Sequence, residues 1–246
     1  MRQKLAILGG AGGIGRVLTS HATAAGWQVW VLDLPRSLEA HPAAHGVASI
    51  AIDITDPHSV AAAFEQLGPL DGFVNLAGFM SPLNALADTP LDVFDDVIQG
   101  NLRGAFLAAS AAVPLLDQAN GAMVNVASGL GAYTRPGFGP YAAAKAGLIS
   151  MTKTLALEAA PNVRVNAVGP SVVDTAFLRG GEGRASSDPA MVHATPVDLD
   201  AVARATPLGR IATPQDVAGP ILFLLGPDAA FMTGQVLWIN GGGYMP

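Results

Sequence analysis

The chain contains no cysteine, which excludes a disulfide framework, a thiolate zinc site and a cysteine nucleophile. Charge is also scarce. Asp, Glu, Lys and Arg make up 13% of the 246 residues while half are hydrophobic, so a disordered chain is excluded and a heavily buried interior is expected, part of it between subunits. Basic blocks are missing: 13 Lys and Arg face 19 Asp and Glu, a net charge of -6. No nucleic acid and no anionic membrane is therefore expected as main partner, and bound phosphate would have to be held mainly by backbone amides. Long apolar runs are absent as well, since stretch 104–116 is too short for a membrane span and contains Ser110 and Pro114. No charged leader with a cleavage site precedes the first apolar segment, so a soluble cytoplasmic protein is expected. No cluster of histidines and carboxylates has ligand spacing, so no metal is expected.

What is present is a regular alternation. Apolar runs at 4–8, 28–32, 48–52, 72–76, 122–127, 164–168 and 235–239 read as strands covered on both faces. Between them, 14–25, 59–67, 91–116 (with a break near Gly100 or Gly104), 140–159 and 214–225 have helical length and composition. Thr213-Pro214 supplies an N-cap followed by proline at the first helical position. The pattern predicts an α/β fold: a doubly wound, seven-stranded, mostly parallel sheet with helices on both faces, as one domain over 1–246. Stretch 176–206 breaks the alternation with Gly180, Gly181, Gly183, Ser186, Ser187, Pro189 and Pro196, and is expected to be a substrate lid.

The first strand runs into Gly9-Gly10-Ala11-Gly12-Gly13-Ile14-Gly15 and then a helix. Strand, glycine turn and helix N-terminus together make a phosphate site, because free amides and the positive end of the helix dipole face the ligand. Gly10, Gly12 and Gly15 fit one dinucleotide spacing, and Gly9, Gly13 and Gly15 another. Spacing alone does not choose. The second strand ends at Asp33, about 20 residues on, where a carboxylate accepts from a ribose 2'-hydroxyl and repels a 2'-phosphate. That favours NAD over NADP, with Arg36 the nearest cation that would argue otherwise.

Tyr141-Ala142-Ala143-Ala144-Lys145 puts a phenol and an ammonium on one helical face. A nearby cation favours tyrosinate and is expected to lower the phenol's pKa toward working pH. Such pairs usually join a half-buried tyrosine to a solvated lysine. Here, however, Lys145 is one of three lysines in the chain and interrupts an apolar segment. Ser128 lies thirteen residues before Tyr141, at the end of a strand where open α/β sheets gather functional groups.

With these residues the chain resembles the short-chain dehydrogenase/reductase family nearly end to end. Gly9, Gly13 and Gly15 match that family's glycine loop and settle the register, while Asp33 matches its NAD-selecting acid. Asp53, in Ile52-Asp53-Ile54, matches the residue that meets adenine. Asn75-Leu76-Ala77-Gly78, Asn101 in its helix, and 164–170 followed by Thr175 match further segments. The resemblance implies a cofactor site formed by Gly9, Gly12, Gly13, Ile14, Gly15, Asp33, Leu34, Asp53, Ile54, Asn75, Ala77, Gly78, Tyr141, Lys145, Pro170, Val173 and Thr175. It implies a catalytic relay in which Tyr141 transfers the proton, Ser128 bonds the reacting oxygen, Lys145 holds the nicotinamide ribose and Asn101 holds a water linking Lys145 to solvent. It also implies a homotetramer joined through the helices around Asn101 and Tyr141 and the last strand.

Leu8 stands where a threonine is usual, so apolar packing must hold the loop, and Ser171 replaces a glycine after Pro170. Leu130, Phe138, Phe177, Leu178 and Met191 are expected to line the substrate pocket, which points to a hydrophobic or medium-chain secondary alcohol or ketone rather than a highly charged substrate. His193 reads as solvated. The activity implied is NAD-dependent interconversion of alcohol and ketone. A redox-sensing NAD-binding protein needs no proton donor, and a halohydrin dehalogenase-type lyase typically lacks the glycine loop and carries arginine in place of Lys145.

Overall fold

A computed structural model describes residues 2–80, 83–179 and 198–245. Seven parallel strands form one sheet in the order β3-β2-β1-β4-β5-β6-β7: β1 Lys4–Leu8, β2 Gln28–Asp33, β3 Ala48–Ala51, β4 Gly72–Asn75, β5 Ala122–Val126, β6 Arg164–Pro170 and β7 Val236–Ile239. The chain moves outward from β1 in one direction and then from β4 in the other. The carboxyl ends of β1 and β4 therefore flank the crevice where such sheets bind ligands.

The strands alternate between two cores. Leu5 and Ile7 of β1 join Val29, Val31, Val124 and Val168 on one face, packed by α1 (Gly13–Ala24) and by α8 (Pro214–Leu225) through Leu18, Val217 and Ile221. Ala6 and Leu8 join Phe73, Met123 and Val165 on the other, under α3 (Pro57–Phe64), α5 (Gly104–Asp117) and α6 (Gly139–Glu158). The Leu8 side chain, at 1% exposure, packs in this core, while the loop that follows is held by hydrogen bonds from Gly9 N-H to the Leu32 carbonyl at 2.8 Å and from Ala11 N-H to Asp33, where packing alone was expected. α8 starts with a capping box between Thr213 and Asp216. At its other end, Arg164 on β6 donates to the carbonyls of Leu224, Leu225, Gly226 and Ala229, satisfying acceptors that the helix cannot.

Three local features differ from the expectation. The break expected near Gly100 or Gly104 is a π-helical turn, Gln99–Arg103, joining α4 (Leu91–Ile98) to α5 without interruption. Pro35–Ala40 forms a short α2, started by proline at its first turn. Leu199–Ala205 forms α7, capped by Asp198, inside the stretch read as a lid. Of that stretch, 180–197 lies outside the described residues, including Met191 and His193. No helix among the described residues is long and apolar enough to cross a membrane.

Candidate active site

One cleft of about 1030 Å³ runs along the carboxyl ends of the strands, from Asp33 past the glycine loop to Tyr141. At its floor the chain turns from β1 into α1. Gly9 adopts φ +79°, and a Cβ there would sit 2.9 Å from the Leu76 backbone, so only glycine fits. Gly12 is the N-cap of α1 and no side chain caps that helix, which leaves its first amides to a ligand. A Cβ on Gly13 would press the Thr175 side chain at 2.7 Å, so the loop and the segment after β6 close directly on each other.

Asp33 ties this loop to β2. Its carboxylate accepts from Ala11 N-H at 3.0 Å and from Leu34 N-H at 2.8 Å. Burial raises its pKa, while those amides, the Ser37 side chain and the charge of His41 draw it back. Asp53, across the same end, accepts from the Thr55 amide and hydroxyl at 2.9 and 2.7 Å. Arg36 does not line the cleft, whereas His41 does.

At the other end, β5 delivers Ser128 and α6 delivers Tyr141 and Lys145 one turn apart. Tyr141 is 5% exposed and packed with Phe79, Val97 and Phe177, and Ser128, whose hydroxyl accepts from Leu130 N-H at 3.2 Å, lines the same cleft. Lys145 is 4% exposed; its Nζ donates to the Val126 carbonyl at 2.9 Å and lies 5.6 Å from the Tyr141 ring centre. Burial raises the Tyr141 pKa and Ser128 partly offsets it, while burial lowers Lys145 to about 8. In the protein without cofactor the phenol thus shifts opposite to the direction expected from a nearby cation. Desolvation by the surrounding rings outweighs it, so the protein by itself holds Tyr141 as a neutral proton donor.

Of the predicted cofactor residues, Gly9, Gly12, Gly13, Ile14, Gly15, Asp33, Leu34, Asp53, Ile54, Ala77, Gly78, Tyr141, Lys145, Pro170, Val173 and Thr175 line the cleft. Asn75 and Asn101 do not. Asn75 is 1% exposed and its side chain accepts from Ala77 N-H at 3.2 Å, so it shapes the wall from behind. Asn101, fully buried by the π-helical turn, bonds both backbone groups of Phe79 and the Val97 carbonyl at 3.0 to 3.1 Å. Its side chain thus holds the Gly78-Phe79 segment in place. Ser128, Leu130, Phe138, Phe177 and Leu178 line the same cleft.

Several lining residues went unread in the sequence. The Tyr133 and Tyr244 rings pack at a tilt with centres 5.2 Å apart, and the Tyr244 hydroxyl donates to the Gly169 carbonyl at 3.1 Å, folding the C-terminal segment over the cleft. Ala201, Val202, Ala205 and Thr206 bring α7 to the same wall. Arg135 lies on the rim. Local pattern could have shown Arg135 beside the Pro136-Gly137 turn; the Tyr244 contact joins residues 75 positions apart and leaves no local trace.

A family model described as enoyl-(acyl carrier protein) reductase matches residues 9–244. A 4-formylbenzenesulfonate dehydrogenase of Comamonas testosteroni is 34% identical over 98% of this chain and 97% of its own. An uncharacterized short-chain type dehydrogenase/reductase of Sinorhizobium fredii is also 34% identical, over 97% of this chain, which spans 43% of that longer protein. Among solved structures, a 3-ketoacyl-(acyl-carrier-protein) reductase of Brucella melitensis complexed with NADH superposes with TM-score 0.84 at 26% identity, covering 99% of this chain and 98% of that one. A variant of ElxO with NADPH bound superposes equally well, with TM-score 0.84 at 25% identity and 99% of both chains covered.

Proposed function

The chain belongs to the short-chain dehydrogenase/reductase family, and from that premise we propose that it is an NAD(H)-dependent oxidoreductase interconverting a secondary alcohol and a ketone. The observation that carries this reading is a buried phenol and a serine in one cleft with a buried lysine and an uncapped helix start lined by glycine. The cradle fits a dinucleotide because a Cβ at Gly9, Gly13 or Gly15 would fill it or displace its walls. The Gly13 and Ile14 amides would hold the diphosphate, and the backbone at Val173 with the Thr175 side chain would hold the carboxamide. Asp33 supports NAD: it is a carboxylate in the wall, with no arginine or lysine lining that end among the described residues.

The bound cofactor supplies the hydride acceptor or donor. The chain does the rest. In reduction, Tyr141 gives its proton to the carbonyl oxygen; in oxidation it takes the hydroxyl proton. Ser128 donates to that oxygen and stabilises the charge developing there, usually the larger electrostatic contribution in such sites. Lys145, fixed by the Val126 carbonyl, directs its remaining N-H groups to the ribose and keeps a positive charge beside the ring. Asn101 acts as a positioning residue through Phe79. Phe106 on α5 and Leu157 on α6, 55% and 82% exposed, support assembly as a homotetramer through these helices.

Calorimetric titration with NAD+ and NADP+, followed by a panel of secondary alcohols read by NADH absorbance, tests the reading. NAD+ binding with turnover is expected. Absence of binding removes it, and binding without turnover of any alcohol or ketone replaces it with a redox sensor.

A further inference from the structure

We infer that the substrate of this cleft carries an anionic head, a carboxylate or sulfonate, received by Arg135 while its apolar body lies among the aromatic rings. This deepens the oxidoreductase reading and names the substrate class of the same site.

Charge in the cleft is sharply divided. Among its described lining residues, Asp33, His41 and Asp53 belong to the end beside β2 and β3, while the end beside Tyr141 holds Lys145 and Arg135 and no carboxylate. Lys145 is buried and bonded to the Val126 carbonyl. Arg135 is therefore the cation that the far end of a substrate meets. Arg135 is exposed, and among the described residues no carboxylate pairs with it.

The backbone holds it in place. Phe138 N-H donates to the Arg135 carbonyl at 3.3 Å across Pro136 and Gly137, and Gly137 has φ +89°. Proline followed by a positive-φ glycine is the arrangement of a type II turn, which favours the first and requires the positive φ that the second supplies. The turn leads straight into α6, whose third residue is Tyr141, so Arg135 and the phenol ride on one stiff unit. Phe138 and the Tyr133 and Tyr244 rings line the same cleft and suit a ring or short chain. A guanidinium matches two oxygens of a carboxylate or sulfonate at once. Because that contact is equally strong before and during hydride transfer, it lowers KM and leaves kcat nearly alone.

The test uses matched pairs, aliphatic, alicyclic and aromatic ketones bearing either a carboxylate or the corresponding carboxamide. Each is titrated into NADH-saturated protein by calorimetry and then assayed for reduction. At least one carboxylate is expected to bind about tenfold more tightly than its carboxamide. Arg135→Gln should erase that difference, mostly through the carboxylate, with the change in KM and not kcat, and Arg135→Lys should restore part of it. Equal affinity within every pair, or a preference that survives Arg135→Gln, overturns the inference. A carboxylate preference without turnover leaves it standing and removes the oxidoreductase reading; turnover without preference does the reverse.

Discussion

The Lys145 ammonium lies 5.6 Å from the centre of the Tyr141 ring, yet its hydrogen bond goes to the Val126 carbonyl. The pair is thus arranged as a neutral acid beside a weakly hydrated cation. Burial pushes both groups toward their neutral forms, raising Tyr141 and lowering Lys145 to about 8. A positive cofactor ring entering the cleft would favour tyrosinate, so the phenol's acidity depends on what the cleft holds.

Tyr141→Phe follows directly from that arrangement. It removes one hydroxyl from a buried ring and leaves Lys145 and the glycine loop in place. kcat should fall by about 10²- to 10⁴-fold, the usual worth of a positioned acid. NAD+ affinity by calorimetry should stay within about threefold, since the hydroxyl is one contact among the many that the cofactor cleft offers. Comparable turnover in the variant would assign the proton to another group.

Asp33 performs two jobs, and Asp33→Asn separates them. The amide oxygen still accepts a backbone N-H, which Ala11 and Leu34 offer, but the negative charge is gone. The preference for NAD+ over NADP+ in kcat/KM should shrink by about tenfold or more as repulsion of a 2'-phosphate disappears. A preference that does not move would shift cofactor selection to another residue, with His41 the nearest candidate in the wall.

Much of this was legible because parallel strands buried on both faces read as continuous apolar runs. β1 falls where its run does, and the other strands begin or end within two residues of theirs. Tyr141 and Lys145 were legible because helical spacing alone brings them to one face. The direction of the tyrosine's shift was not, since it comes from Phe79, Val97 and Phe177, which reach the ring from distant segments. Asn101 read as a site residue because it sits in the right helix. The π-helical turn that rotates it into the core depends on one extra residue per turn, which composition does not reveal. α7 was lost among prolines and glycines because seven residues give too little periodicity.

The glycine loop can be probed by contrast. A Cβ on Gly15 would collide with the Gly9 carbonyl and lie 2.6 Å from Gly10 Cα, and backbone cannot step aside. Gly15→Ala should therefore lower stability by about 2–3 kcal/mol in denaturant unfolding and abolish NAD+ binding. Gly12→Ala, at φ -71° with one neighbour at 3.3 Å, should change stability by less than about 1 kcal/mol. Similar losses for both would mean that the turn, and not the approach of α1 to it, is the sensitive feature.

Exposed apolar residues on α5 and α6 make the assembly testable. Light scattering should give about four times the 25.0 kDa chain mass. Phe106→Glu with Leu157→Glu should lower that mass while circular dichroism stays unchanged, because both side chains stand outside the sheet's cores. A wild-type monomer at micromolar concentration rules the tetramer out.

Lys145→Met tests the burial of the cation itself. Unfolded, the lysine titrates near 10.5; folded, near 8. Below pH 8 both states are protonated and the folded protein bears the full desolvation penalty, about 3 kcal/mol for such a shift. As pH climbs through 8 the folded ammonium loses its proton first, so wild-type stability gains until about pH 10.5, where the unfolded lysine is neutral too. Methionine carries no charge and shows none of this, although leaving the Val126 carbonyl unpaired costs about 1–3 kcal/mol at every pH. Other groups titrate in both proteins and cancel in the difference. Urea unfolding should therefore show the variant faring better relative to wild type at pH 7 than at pH 10, by about 2–3 kcal/mol. A difference that is flat across that range would mean the ammonium is solvated in the folded protein, and the cation beside Tyr141 would then owe nothing to its burial.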